Sequence, residues 1–333
     1  MNIAPSTECS LLDMTADELD IIMGYVDCKE IQVLRKVCSS LRQHIDNSQF
    51  DSKIDDVKVT ETLEKMKLSF RIKNLKYTTI EYQMHPGGCL IKWDNKSKSL
   101  KDSDYAHVAG NDLGLILRHQ KSIISNLELS FEETRKSGSV KCTGLERFLT
   151  ALNSHLQSRK TLLPVHQFKI YGITKEVQLM KFIPHLKPKT LVEFGFCLND
   201  YCHTDIKLNQ VLQLDQWKLS QAFSTEYINY CHPLKTLTHF TSAAVKINQM
   251  TMEEIIELKN MLLQRIFEEP EWSGMTIRYS FTDRRKFATW LNVSYLDGKV
   301  THIFRSDSNK HLKIEWTPWD SVIKFSVIVD PVV

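Results

Sequence analysis

The sequence predicts an α+β protein in three consecutive parts: a small helical module, a region where single strands alternate with helices, and a β-rich C-terminal end. Three observations carry that prediction. Between Leu12 and Ile45 apolar residues recur at helical spacing behind two helix-start signals. From Tyr105 to Ile266, stretches with a period near 3.6 residues alternate with short stretches of period two. From Met275 to Val329, short alternating segments are separated by turn residues.

The helical module begins at Thr15-Ala16-Asp17-Glu18, a capping box in which the hydroxyl accepts from an orphan N–H while the glutamate reaches back. Asp27-Cys28-Lys29-Glu30 repeats the pattern with Asp as the cap, leaving Gly24-Tyr25-Val26 as the bend. Leu19, Ile22, Met23 and Val26 form the apolar stripe of the first helix; Ile31, Leu34, Val37, Cys38, Leu41 and Ile45 form that of the second. Helices of two or three turns cannot bury such stripes completely against each other, so the rest of the chain or a partner must cover them.

After the connector Asp46 to Gln49, the segments Val57–Val59, Leu68–Ile72 and Thr79–Met84 alternate as half-buried strands do. His85-Pro86-Gly87-Gly88 is a turn, and Cys89–Trp93 returns from it, giving an antiparallel meander over 55–95. The basic run Lys92 to Lys101 reads as a solvated turn.

Over 104–270 the elements alternate. Helical stripes fall at Tyr105 to Leu117, Leu145 to Leu156, Val177 to Leu186 behind Thr174 as N-cap, and Ile255 to Ile266 behind the capping box Thr251–Glu254. Strands fall at Leu127–Phe131, Phe168–Gly172, Leu191–Phe196 and Ala243–Ile247. Such alternation implies parallel strands joined by crossover helices. The units differ in length, which fits an irregular leucine-rich-repeat-like arc. A doubly wound sheet is the alternative, disfavoured because no strand runs into a glycine-rich phosphate turn. Over 275–330, strands at Met275–Phe281, Leu291–Tyr295, Val300–Arg305, Leu312–Trp316 and Val322–Val329 form a terminal cap, with Asp297-Gly298 as a hairpin turn.

The order Met14, Leu19, Ile22, Met23, Tyr25-Val26-Asp27, Ile31, Leu34 to Cys38, Leu41-Arg42 resembles the F-box, with Met14-Thr15 where that family commonly has Leu-Pro. The resemblance implies a three-helix module over 11–50 that binds a Skp-type adaptor and, through it, a cullin–RING ubiquitin ligase. The residues it nominates for adaptor binding are Met14, Leu19, Ile22, Met23, Val26, Ile31, Leu34, Val37 and Leu41. A second resemblance covers Val57 to Val329. Asp104-Tyr105, Asn111-Asp112-Leu113, Ile116-Leu117, Leu127-Glu128-Leu129, Leu186-Lys187-Pro188, Gln216-Trp217-Lys218, His239-Phe240 and the Glu253–Leu263 helix are similar to the FTH domain. That domain follows the F-box in a large nematode family, and the resemblance implies that 55–333 binds a protein substrate.

The chain has 333 residues, 42% hydrophobic and 25% charged, which is ordinary for a globular protein. A net charge of +3 is too mild to demand nucleic acid. Met1 to Leu11 lacks the apolar run of a signal peptide, and no stretch reaches transmembrane length. The eight cysteines are scattered and read as reduced thiols, so the expected location is the cytoplasm, the nucleus or both, with the sequons at Asn95 and Asn292 silent.

No Walker loop, GxGxxG, GxSxG or HExxH occurs. Cys197, Cys202-His203 and Cys231-His232 hold the right donor types for zinc, but without a second close cysteine pair they read as ordinary residues. Trp217 reads as a packing anchor with Lys218 in solvent, His239-Phe240 as packed, and the Glu132-Glu133, Glu253-Glu254 and Glu268-Glu269 pairs as caps or solvated faces. No catalytic residue, metal or cofactor is expected. The function that the two resemblances imply is the substrate-recognition subunit of an SCF-type ligase. A binding scaffold without ligase activity and an RNA-associated protein are the alternatives.

Overall fold

The computed structural model describes residues 14–329 apart from 27, 36, 49, 63, 73–74, 132–133, 137–138, 142–143, 198–203, 269–271, 282–283, 294–297 and 306–308. It opens with helices α1 (Ala16–Tyr25), α2 (Cys28–Leu34) and α3 (Ser39–Ser48). The stripe expected to run through one helix from Ile31 to Ile45 is thus interrupted. Val37 N–H closes a short turn on the Leu34 carbonyl, and a new helix starts where Arg42 N–H reaches the Cys38 carbonyl at 3.1 Å. The Ser39-Ser40 pair favours a start over a continuation, because hydroxyls near the backbone compete with the helix interior.

Strands β1 (Ile54–Thr62), β2 (Lys65–Ile72), β3 (Thr78–His85), β4 (Gly88–Trp93) and β5 (Lys96–Lys101) pair in succession as an antiparallel meander. Strand β5 corrects the reading of Lys92 to Lys101 as a turn. Only Asp94 and Asn95 turn, with Asp94 at φ 48°, and the lysines then lie along the sheet edge. Lysine there hinders pairing with another chain, and it hides the strand from a search for apolar alternation.

Next come α4 (Tyr105–Leu117), β6 (Ile124–Ser130), a separate hairpin of β7 (Thr134–Lys136) and β8 (Ser139–Lys141), α5 (Leu145–Gln157), β9 (Val165–Tyr171), α6 (Glu176–Met180) and β10 (Glu193–Cys197). They are followed by β11 (Thr204–Ile206), α7 (Asp215–Leu219), β12 (Ala222–Tyr230), β13 (Ser242–Gln249), α8 (Met252–Glu268) and β14 (Gly274–Phe281). The end of the chain holds α9 (Arg284–Trp290), β15 (Val300–Phe304), β16 (Lys310–Thr317) and β17 (Val322–Val329). Among the described residues no helix is long and apolar enough to cross a membrane.

All but the small hairpin join one 15-stranded mixed sheet. Its centre runs β1, β6, β9, β10, β12, β13, β14, each parallel to the next and in chain order. Within this parallel run the order never reverses, so it lacks the switch point of a doubly wound fold. The antiparallel β17, β16 and β15 extend the far edge beyond β14.

The register explains which face is covered. One rung, Val57, Leu127, Phe168, Phe194, Phe223, Ala243 and Met275, is buried throughout. The next rung, Lys58, Glu128, Lys169, Gly195, Ser224, Ala244 and Thr276, is polar or small and bears the Lys58–Glu128 pair at 2.9 Å. Alternation within each strand therefore sends one row under the helices and leaves the other open.

The crossovers are uneven. Helices α5 and α8 are full, whereas α6 stops at Met180 and gives way to two 3-10 turns at Ile183–His185 and Pro188–Thr190. The expected helix from Thr174 to Leu186 fails at Pro184, which has no N–H to donate and whose ring clashes with the preceding turn. Val177, assigned to its buried stripe, is exposed. At the far end Leu291 to Val293 continues from α9 and is not a strand, while Tyr295 and the Asp297 turn position lie outside the described residues.

At the middle of the core, the Trp217 ring meets Phe223 at 4.8 Å and Phe240 at 5.0 Å between ring centres, and Phe194 at 5.6 Å. Trp217 is thus a core anchor, and Lys218 points to solvent.

Candidate functional site

Helix α1 starts as its capping box requires. Thr15 Oγ1 accepts from Glu18 N–H at 3.4 Å, while Glu18 Oε2 accepts from Thr15 N–H at 2.8 Å. These bonds, the backbone one first, hold the Glu18 carboxyl below its ordinary range. The second cap, Asp27, lies outside the described residues. Asp20 accepts from His44 Nε2 at 2.9 Å and ties α1 to α3.

The three helices close around a core of their own. Leu19, Met23, Ile31, Leu41 and Ile45 are buried together, with Met14, Val26, Leu34, Cys38 and Phe50 packed around them. None of these belongs to the core of the sheet region, which forms a separate cluster. The structure therefore sorts the nine nominated residues. Leu19, Met23, Ile31 and Leu41 build the module's interior, Met14, Val26 and Leu34 wall it, Ile22 is half-buried, and Val37 faces solvent.

Sequence periodicity missed three apolar side chains that are exposed as Val37 is. Exposure is 63% for Ile21, 88% for Tyr25, 59% for Val33 and 63% for Val37. Ile21 and Tyr25 are spaced i, i+4 and stand together on the outer face of α1. That spacing is the signal the sequence offers, and it is masked because both residues sit beside the main stripe.

The module is fastened to the sheet region through 50–54. The Asp51 carboxylate accepts from Lys121 N–H at 2.8 Å and Ser122 N–H at 3.0 Å, and Ser52 Oγ donates to the Ile116 carbonyl at 2.9 Å. Gln120, fully buried, accepts from Ile54 N–H at 3.1 Å and donates back to the Ile54 carbonyl at 2.8 Å. From the other side Lys53 Nζ donates to the carbonyl of Gly24, which lies in the last turn of α1 and not in the expected bend. Arg159 fixes the same corner through the carbonyls of Leu117, Arg118 and Gln120. Such pairing orients the module relative to the sheet.

Cys197 is buried and Cys231 exposed, while Cys202 and His203 lie outside the described residues. His232 Nε2 accepts from Leu208 N–H at 2.6 Å, and burial holds its pKa down. Among the described residues no group of three or more His, Cys, Asp or Glu could hold a metal ion. His239 bonds the Trp217 carbonyl at 2.9 Å and packs on Phe240.

Fold and site together define a two-part chain: a helical module with its own core and uncovered apolar side chains, fastened to a mixed α/β body. Family models give the parts their names. The F-box domain matches residues 11–53 and the FTH domain matches residues 146–292. The chain carries an F-box domain followed by an FTH domain. F-box A protein 224 of Caenorhabditis elegans is 24% identical over 262 residues, which cover 76% of this chain and 63% of that relative. No solved structure matches the chain.

Proposed function

We propose that the protein is the substrate-recognition subunit of an SCF-type cullin–RING ubiquitin ligase, with no catalytic role of its own. Residues 11–50 would dock a Skp-type adaptor and, through it, a cullin; residues 55–333 would present a surface to a protein substrate. The observation that carries this reading is the group Ile21, Tyr25, Val33 and Val37, apolar side chains left in solvent by a module whose interior is already filled. Ile22 and Val26 are half-buried. Helices that expose apolar side chains at i, i+4 spacing suit a groove on a partner.

On the substrate side we read the parallel strands as a leucine-rich-repeat-like arc. Chain-order pairing and crossovers that shrink to 3-10 turns support it, and so does the open polar rung. A cytoplasmic or nuclear location accords with reduced cysteines.

The test is co-purification of the tagged chain with a Skp-type adaptor. Wild type is expected to retain the adaptor, and Tyr25→Asp with Val37→Asp to lose it while the circular dichroism spectrum stays unchanged. Equal adaptor recovery with the double variant would sink the reading.

A further inference from the structure

The long sheet ends in β5 on one side and in β15 on the other, and the two edges are built differently. Strand β5 carries Lys96, Lys98 and Lys101, all exposed, and lysine along an edge hinders the addition of another strand. Strand β15 reads Val300-Thr301-His302-Ile303-Phe304 and contains neither lysine nor proline. It pairs with β16 on one side, and among the described residues no strand pairs with it on the other. In an antiparallel pair alternate residues turn their N–H and C=O groups away from the neighbour, so β15 holds out a row of donors and acceptors.

Alternation gives this edge two faces. On the open face of the sheet Thr301 stands opposite Glu315 and Ile303 opposite Lys313, and Ile303 is 44% exposed. Lys299 and Arg305, both exposed, flank the strand at the same spacing, so the row reads cation, hydroxyl, apolar, cation. Lys299 is not alone: it reaches Glu315 Oε1 at 2.6 Å, and Lys313 reaches the same oxygen at 3.0 Å. One carboxylate thus serves two ammonium groups, and with Arg305 the row stays positive. On the other face the half-buried Phe304 ring lies 5.4 Å from that of Trp290 and 4.5 Å from that of His302, with Lys259 Nζ 5.1 Å from its centre.

We propose that the outer edge of β15 takes up one extended segment of a partner protein as an additional strand. That segment carries two carboxylate side chains six positions apart, with an apolar residue between them on the same face. Main-chain hydrogen bonds to a sheet edge supply the attraction, and alternate side chains choose the sequence. Residues six apart on a strand share a face and span the distance from Lys299 to Arg305. Carboxylates at those positions meet cations across the new pair, and the apolar residue meets Ile303. A second copy of this chain suits the edge poorly. Antiparallel pairing about His302 sets Lys299 against Arg305 twice over, and like charges directly opposite are destabilising. Only in calling the partner a substrate does the inference rest on the ligase reading.

The full chain, without adaptor, is to be titrated by calorimetry with an acetylated, amidated peptide in which threonine and valine alternate between two glutamates six positions apart. That order reads alike in both directions, so strand polarity does not matter. The same peptide with lysines for the glutamates is the charge control. Two further forms carry N-methyl groups on alternate residues, one at odd and one at even positions, so that each blocks the N–H groups of a single edge. The glutamate peptide is expected to bind more tightly than the lysine peptide, and one methylated form should lose binding while the other keeps it. Arg305→Glu should weaken the glutamate peptide about fivefold and strengthen the lysine peptide, whereas Lys98→Gln, on the opposite edge, should change neither. Arg305 and Lys98 are exposed, so both variants fold, and adaptor recovery measured in parallel keeps the two hypotheses apart. No binding of the glutamate peptide, equal binding of the lysine peptide, equal effects of the two methylated forms, or sedimentation of the chain as a dimer that the peptide dissociates would overturn the proposal.

Discussion

The helical module and the sheet region start from the same kind of amphipathic stripe and reach different ends. In the sheet region each buried rung is sealed by helices, and the Trp217–Phe223–Phe240 nest sits deep among neighbours. In the module five side chains suffice to fill the interior, and Ile21, Tyr25, Val33 and Val37 remain outside. The contrast follows from surface-to-volume scaling: a body this small cannot bury all of its apolar surface by itself. Where the sheet region spends its apolar residues on stability, the module leaves some in solvent.

The widest gap between the two cores is expected from truncation. Trp217→Ala should cost about 3–5 kcal/mol, read from the urea midpoint, because a wide ring leaves a cavity that its aromatic neighbours cannot fill. Met23→Ala should cost about 2 kcal/mol, since a small core near solvent relaxes more readily. Equal losses at the two sites would show that the cores are packed alike and would remove the comparison. Tyr25→Ala should shift stability by less than about 0.5 kcal/mol yet lower adaptor affinity by about 2 kcal/mol. The reverse pattern would place Tyr25 in the folding core of the module. Thr15→Ala removes one capping bond and should cost about 1 kcal/mol.

What could be read from the sequence followed the strength of local signals. The Asp104 cap and the stripe from Tyr105 to Leu117 gave α4 its observed bounds, because capping and periodicity agree there. The Thr251 capping box likewise opens α8, with Glu254 N–H on Thr251 Oγ1 at 3.2 Å. Strand β12 was not foreseen, since its register break disturbs the alternation that would announce it. Strand β5 was hidden by its lysines, and the α6 region by a stripe that ignored Pro184. In the candidate site the buried half was legible, because a stripe marks what faces inward. The outward half was not, since its i, i+4 pairs lie beside the longer stripes that mark the interior. The free edge at β15 exists only once the order of the sheet is known.

The subtlest contrast lies between two carboxylates, one in each region, whose pKa values move in opposite directions. Burial raises Asp112 above its ordinary 3.8, although it accepts from Tyr82 Oη at 2.8 Å. Its contribution to stability is fully present below 3.8 and is lost as the pH rises through the folded value. Glu18 is lowered from its ordinary 4.5 by the Thr15 bonds, so its contribution is present above 4.5 and is lost as the pH falls through the folded value. Asp112→Asn keeps an acceptor for Tyr82 and removes the titration, so the variant should gain on wild type as the pH rises. Glu18→Gln should lose to wild type over the same range, by less, because that group is open to solvent and its bonds are screened. Urea midpoints across the acid range read both slopes. Parallel slopes for the two variants would mean that burial in the sheet region does not outweigh the Tyr82 bond, and that Asp112 is held charged as Glu18 is.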